Sequence, residues 1–314
     1  MTLAAATKYT GHPPDRPVPT DGAVDWAWAG LVALRKAIAG APHCRIWSLL
    51  PDPAGPWQAV QGLADGHVVS ASAEMGVLIR PGQSGPVGDL LALYGALAGA
   101  RDGWCVAHLG QSLDGRIATV NGESFFVTGP EDVRHNHRMR ALADAVIVGA
   151  GTVACDDPRL TVRLVEGTCP VRVVIDTERR LPSDAGLFRD DAARTLLLVA
   201  EDRAGADRHG TAEVVPVARG REGLNPKSCL EALAERGLTR IFVEGGGVTV
   251  SRFLEAGCLD RLQIAVAPML IGSGRPAVAL PEIADLSQTI RPPSIRHFLL
   301  GQDLLFDCEL ERAR

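Results

Sequence analysis

The sequence predicts an α/β fold with a mostly parallel central sheet covered by helices on both faces, and three observations carry that expectation. Beyond residue 103, short aliphatic runs of strand length alternate with amphipathic stretches of helix length. Two of the runs end in glycine-rich turns, Gly149-Ala150-Gly151 and Gly245-Gly246-Gly247, as strands do where they pass into helices. The 314 residues are 46% hydrophobic, enough to bury one large core or two smaller ones.

Taken in order, residues 1 to about 20 are rich in Pro, Gly and Thr and read as a loose lead-in. Trp26 to Ala39 has helical spacing. Arg45 to Leu50 and Gln58 to Val60 read as short strands divided by Pro51, Pro53 and Pro56, and His67 to Ile79 is strand-like in part. Asp89 to Ala98 is a Leu/Ala helix that stops at Gly99. The Gly-Ala-Arg-Asp-Gly segment that follows marks a boundary, leaving residues 1–103 as a small N-terminal α/β extension and 104–314 as the main unit. There the expected strands are Trp104 to Leu109, Ala145 to Val148, Val171 to Ile175, Thr195 to Val199, Arg240 to Val243, Arg261 to Val266 and Leu304 to Glu309. Helices are expected over Glu131 to Ala143, Leu224 to Glu235 and Val248 to Ala256, which places the active-site loops at the carboxyl ends of the strands.

Composition narrows the function. A formal charge of −5 argues against a broad nucleic-acid face or an anionic membrane surface, and points to a small ligand. The seven cysteines are scattered singly with no C-x-x-C, so neither a zinc cluster nor a disulfide framework is expected. No apolar run is long enough to span a bilayer, and Met1 to Asp21 shows no basic start followed by an apolar core; a cytoplasmic protein is expected.

Gly149 to Ala154 matches the dinucleotide fingerprint G-x-G-x-x-A, with Glu166 and Asp176 as ribose-binding acids further on. Pro158 stops any helix after about a turn, whereas a doubly wound unit needs a crossover helix of ~10 residues, so an ordinary Rossmann unit is rejected. What remains is a glycine turn beside Thr152 and Asp156, which offers close backbone approach, a hydroxyl and a carboxylate. Thr128-Gly129-Pro130-Glu131 fits a capping box, with Thr128 at the cap. The helix it opens carries Arg134, His135, His137, Arg138 and Arg140; a solvated face is its ordinary meaning, and an inward arginine clamping a phosphate the sharper one. Arg163 is a second clamp candidate. Glu244, before the three glycines, is placed either to orient a substrate or to cap the next helix.

These pieces in this order resemble the reductase domain of bacterial bifunctional riboflavin-biosynthesis deaminase/reductases, which has a dihydrofolate-reductase-like fold. The matching elements are Leu109 to Arg116, Gly122-Glu123-Ser124, Thr128 to Glu131, Gly149 to Val153, Asp156 to Arg163, Val174-Ile175-Asp176, Val243 to Gly247, Ala267-Pro268 with Gly272, and Arg296-His297. The resemblance runs from about Val106 to Leu310. It implies a three-layer αβα sandwich, NADPH as cofactor, and reduction of the ribosyl group of a 5-amino-6-(5-phosphoribosylamino)pyrimidine to its ribityl form; a homodimer is also implied.

Carried over by position, Gly110, Phe126, Thr152, Asp156, Thr177 and Gly245, Gly246, Gly247, Val248 and Thr249 are the implied cofactor contacts. Ser124, Arg140, Leu160, Arg163 and Glu244 are the implied substrate contacts, the two arginines suiting a 5′-phosphate. Glu244 and His108 are the catalytic candidates. His108 stands where bifunctional members carry lysine, so the pKa and reach of that group differ here. The deaminase signature, H-x-E with P-C-x-x-C, does not occur in residues 1 to 103, and no deamination is expected. Two other readings keep the pocket: a reductase of this fold for another substrate, and a non-catalytic nucleotide sensor.

Overall fold

The computed structural model describes residues 22–41, 44, 46–50, 58–62, 69–72, 76–79, 85–125 and 127–312. The lead-in 1–20, Arg45, His67 and Phe126 lie outside the described residues. Helices α1 (Gly22–Gly40) and α2 (Gly85–Gly99) pack on each other and against a four-stranded antiparallel sheet of β1 (Ile46–Leu50), β2 (Gln58–Gln61), β3 (Val69–Ser72) and β4 (Gly76–Ile79), in the order β2-β1-β3-β4. On α1 the buried residues Ala27, Trp28, Leu31, Leu34 and Ile38 recur at helical spacing and form one apolar stripe. That stripe meets Leu90, Leu91, Tyr94 and Leu97 of α2, with the Trp28 and Tyr94 rings edge to face at 5.5 Å.

The chain then builds a ten-stranded sheet. In chain order come β5 (Trp104–Ser112), β6 (Arg116–Ala118), α3 (Pro130–Leu142), β7 (Ala145–Gly149), α4 (Ala150–Asp156), β8 (Val171–Ile175), β9 (Thr195–Ala200), β10 (Arg208–His209) and β11 (Ala212–Val217). They are followed by β12 (Arg219–Gly220), β13 (Gly223–Leu224), α5 (Pro226–Ala234), β14 (Arg240–Glu244), α6 (Gly247–Glu255), β15 (Arg261–Ala267), β16 (Arg275–Pro276), β17 (Ile295–Leu300) and β18 (Asp303–Glu309). The sheet order is β10-β11-β9-β8-β7-β14-β5-β15-β18-β17, parallel from β11 to β15 and antiparallel at both margins. Strand β14 returns between β5 and β7, so the order reverses there, and the crevice at such a reversal is where open α/β sheets bind ligands.

Alternation of side chains explains the layers. Along β7, Val146 and Val148 enter one apolar cluster while Ala145 and Ile147 enter the other, and Phe242 separates from Ile241 and Val243 on β14 in the same way. The first cluster is closed by Met139 and Leu142 of α3 and by the α1/α2 pair; the second by Cys229 and Leu233 of α5 and by Val250 and Phe253 of α6. Helices on both faces of a mostly parallel sheet make the expected three-layer αβα sandwich, with α1 and α2 thickening one outer layer.

Two expectations need correction. Helix α3 does not show a solvated basic face: Arg134, His135, His137, Arg138 and Arg140 are all buried, because α3 lies between the sheet and the N-terminal helices. The Thr128 capping box does not form; Gly129 is the N-cap, and the Thr128 hydroxyl donates instead to Asp132 Oδ2 at 2.7 Å. The cap comes from far along the chain, where Asp303 Oδ2 accepts from the Gly129 N–H at 2.6 Å. Asp303→Ala is therefore expected to cost about 1 kcal/mol of stability, the usual loss for a removed cap, read as a lower denaturant midpoint at unchanged slope. Strand β11 escaped the sequence reading because of Pro216. It is tolerated because β10 covers only Ala212 and Glu213, leaving the outer edge at Pro216 unpaired.

Helix α4 is as short as the Pro158 argument requires. Its last residue, Asp156, is followed by Asp157 in the left-handed region at φ 39°, and no crossover helix of Rossmann type exists here.

Candidate active site

The carboxyl ends of β5, β7, β8 and β14 open into one cavity of about 710 Å³. Its walls include His108 and Gly110 from β5, Ser124 and Thr128 from the loop after β6, and Asp132 and Asn136 from α3. The glycine turn with Thr152 and Asp156 follows β7, Thr177 and Arg180 follow β8, and Glu244 to Thr249 with Arg252 complete the β14–α6 side. Thus every expected cofactor contact among the described residues lines the cavity. So do Ser124, Glu244 and His108.

The two glycine turns interlock. A Cβ on Gly149 would fall 2.5 Å from Thr249 Oγ1, and one on Gly246 would fall 3.0 Å from Thr152 Oγ1, so each turn admits the other's threonine hydroxyl only because it is glycine. Gly246 has φ 69° and is the N-cap of α6 with no side-chain cap, which leaves the first amides of that nine-residue helix available to a ligand. A Cβ on Gly151 or Gly245 would meet nothing within 4 Å, so the space beside both backbones is open. Glu244 does not cap α6.

A polar row crosses the sheet. Glu244 of β14 is in register with His108 of β5, His108 with Gln263 of β15, Gln263 with Asp307 of β18, and Asp307 with Arg296 of β17. In-register neighbours project to one face, here the face under α3. Helix α3 answers the first three: Arg140 grips Glu244 through Nε at 2.6 Å and through Nη2, Asp132 Oδ1 lies 3.0 Å from His108 Nε2, and His135 Nε2 lies 3.0 Å from Gln263 Oε1. Burial raises the Asp132 carboxyl, but His108, then His135 and the Thr128 hydroxyl, outweigh it and hold Asp132 below the ordinary carboxylate range. Among the described residues His108 Nδ1 has no hydrogen-bond partner, although the ring is only 3% exposed and lines the cavity. Burial pushes Asp156 up, with the Ser124 hydroxyl 3.4 Å away opposing it.

Arg140, Leu160 and Arg163 do not line the cavity. Arg140 spends its guanidinium on Glu244 and on the Thr161 carbonyl at 2.9 Å, Arg163 donates to Thr161 Oγ1 at 2.7 Å, and Leu160 is buried with φ 52°. They form a layer behind Glu244. Sequence reasoning passed over Asp132, Asn136, Arg180, Arg252 and Arg275; Thr128 and Asp132 at i, i+4 on the entry to α3 were the available signal.

Burial lowers His135 to about 3, helped by the charge of His108, and lowers His137 to about 3, helped by Arg140, Arg163 and Arg134. Both are neutral in the folded chain and take up a proton on unfolding below their ordinary value of 6.5. Their contribution is complete above that pH and declines as the pH falls through it. Between about pH 7.5 and about pH 5.5 the two together are expected to cost about 2 to 3 kcal/mol, seen as a lower Tm.

The fold is that of a dihydrofolate-reductase-like reductase, with the cavity at the switch point of its sheet, and a reductase of this family implies a nicotinamide cofactor. Residues 104–301 match the RibD C-terminal domain family, and the chain belongs to that family, as a pyrimidine reductase of riboflavin biosynthesis. It is 36% identical over 213 residues to the 2,5-diamino-6-ribosylamino-4(3H)-pyrimidinone 5′-phosphate reductase of Methanothermobacter thermautotrophicus, covering 65% of this chain and 96% of that one. It is 33% identical to RibD of Aquifex aeolicus over 62% of this chain, and spans about half, 54%, of that longer protein. The crystal structure of the Thermotoga maritima deaminase/reductase superposes with a TM-score of 0.56 at 26% identity, over 71% of this chain and 61% of that one. No described helix is long and apolar enough to cross a membrane.

Proposed function

We propose that the chain reduces the ribosyl group of a 5-amino-6-(5-phosphoribosylamino)pyrimidine to ribityl with NADPH, without deamination. The observation that carries this reading is the His108–Asp132 pair, its ring lining the cavity with Nδ1 unpartnered among the described residues and Glu244 beside it in register.

The residues present fit a dinucleotide. The open glycines, the uncapped start of α6 and the hydroxyls of Thr152 and Thr249 suit a pyrophosphate. Arg252 Nε is buried without a partner among the described residues, and a Cβ on Gly223 would lie 2.7 Å from Arg252 Nη1 and 3.1 Å from Thr177 Oγ1. Arg252, Arg180 and Thr177 form a cationic end suited to the extra phosphate that distinguishes NADPH from NADH. That end lies three strand spacings from β5, roughly 14 Å, which separates the adenosine side from the reacting side. Arg252→Ala is accordingly expected to raise the KM for NADPH by roughly 10- to 100-fold and leave that for NADH nearly unchanged, as measured in steady-state assays with each cofactor. Equal losses for both would remove the phosphate role.

When bound, the nicotinamide supplies a hydride to C1′ of the ring-opened sugar, present as an imine to the pyrimidine amine. His108 Nδ1 donates the proton that the imine nitrogen takes up, while Asp132 accepts from Nε2 and fixes the ring. Glu244, held by Arg140, and Ser124 orient the pyrimidine; Arg163, joined to that layer through Thr161, supports the Arg140–Glu244 pair from behind the cavity. The reading is tested by following NADPH oxidation with purified chain and the phosphoribosylamino pyrimidines, deaminated and not. Oxidation dependent on the substrate supports it; NADPH binding without turnover on either would leave the sensor reading instead.

A further inference from the structure

We propose that Tyr94, on helix α2 of the N-terminal segment, is a positioning residue of the reductase site: its hydroxyl donates to His135 and keeps that ring neutral against His108. The inference rests on the reading of His108 as proton donor.

The direction of each hydrogen bond follows from one end of the row. Asp307 is fully buried between Arg261 and Arg296, at 3.2 and 2.7 Å, and its carboxylate accepts. The Gln263 amide must then turn its Nε2 to Asp307, 3.1 Å away, leaving Oε1 toward His135 Nε2 at 3.0 Å. A carbonyl oxygen can only accept, so Nε2 carries the proton and Nδ1 is a lone pair. Tyr94 lies 2.6 Å from that Nδ1 and must be the donor. Burial pushes the Tyr94 phenol up to about 12, which keeps its proton in place. Two neighbours thus fix the tautomer of a ring whose centroid lies 4.8 Å from that of His108, the two planes tilted at 60°.

A second proton on His135 would place a cation against His108. The groups facing His135 are Tyr94 from α2, His108 from β5, Asp132 and Arg138 from α3, and Gln263 from β15 with Asp307 of β18 behind it. Among the described residues Asp132 is the anion whose charge acts on His135, and His108 already occupies it. Without the hydroxyl the Nδ1 lone pair becomes more basic, and the two histidines compete for that carboxylate. The N-terminal helices are seated to hold this contact. Arg138 lies over the Trp28 and Tyr94 rings at 5.7 Å, Arg296 Nη1 donates to the Ala92 carbonyl at 2.6 Å, and Trp28 Nε1 donates to the Glu166 carbonyl at 2.8 Å. Tyr94 stands ten residues before the matched family segment begins at 104, so this support is supplied from outside it.

The test is Tyr94→Phe in the full chain, with kcat and KM followed from about pH 5.5 to about pH 8.5, and with the imidazole nitrogen shifts of His135 recorded in both proteins. The parent is expected to show His135 neutral and protonated at Nε2 across that range. In the variant the nitrogen shifts of His135 should report a mixture of tautomers in place of the single Nε2-protonated form, and kcat should fall by roughly tenfold with little change in the KM for NADPH. An unaltered kcat and tautomer in an active variant overturn the proposal while leaving the function standing. If the parent itself turns over neither pyrimidine, the functional reading fails. The nitrogen shifts, which need no turnover, then still decide whether Tyr94 sets His135. Should Tyr94→Phe not fold, the parent spectrum alone judges the proposal, because a His135 protonated at Nδ1 or titrating near neutrality contradicts it.

Discussion

His108→Gln is expected to lower kcat by roughly 100- to 10,000-fold, the usual weight of a positioned general acid, with the KM for NADPH within about twofold. Glutamine preserves a donor toward Asp132, so the buried carboxylate keeps a partner and the fold is spared; what is lost is a transferable proton. His108→Lys, which installs the group expected by family resemblance, should retain part of the activity with its optimum displaced to higher pH, since lysine holds its proton far longer. A loss below about threefold in His108→Gln would show that the proton comes from elsewhere, with Asp156, raised by burial on the far wall, as the next donor to examine.

The second large effect concerns Arg140. Arg140 and Glu244 have side chains only 10% and 15% exposed, so Arg140→Met strands a carboxylate away from water and should destabilise the chain by about 3 kcal/mol. The double variant Arg140→Met/Glu244→Gln removes the stranded charge and should recover most of that stability. It should not recover activity, because the cavity then lacks the carboxylate that orients the substrate. Denaturant unfolding and steady-state kinetics on the same three proteins separate the two roles. Stability unchanged in Arg140→Met would mean the pair is screened by solvent, and recovered activity in the double variant would remove Glu244 from the site.

Much of this was legible in the sequence where the determining contacts are local. The strands of the main unit declare themselves because both their faces are buried, which writes continuous aliphatic runs such as Ala145 to Val148. The glycine turns are legible because the backbone there needs conformations or approaches that only glycine allows, as at Gly246 and Gly149. What was not legible depends on distant partners. The charged helix α3 reads as solvated, since nothing within it announces that α1 and α2 will cover it. Thr128 matches a capping box by spacing, yet Asp303, 174 residues later, takes the Gly129 amide. Asp132 became a site residue only once α3 crossed β5 and set it beside His108, 24 residues back. Arg140 was expected at a phosphate and is instead occupied by Glu244, a pairing 104 residues apart.

The most direct test of the central claim is isotopic: a single turnover with NADPH carrying deuterium at the transferable nicotinamide position and a 5-amino-6-(5-phosphoribosylamino)pyrimidine, the product read by mass spectrometry. The expected outcome is a ribityl product with one deuterium at C1′, formed by the parent and nearly abolished in His108→Gln. Oxidation of the cofactor without deuterium at C1′, or no product from a chain that binds NADPH, would contradict it.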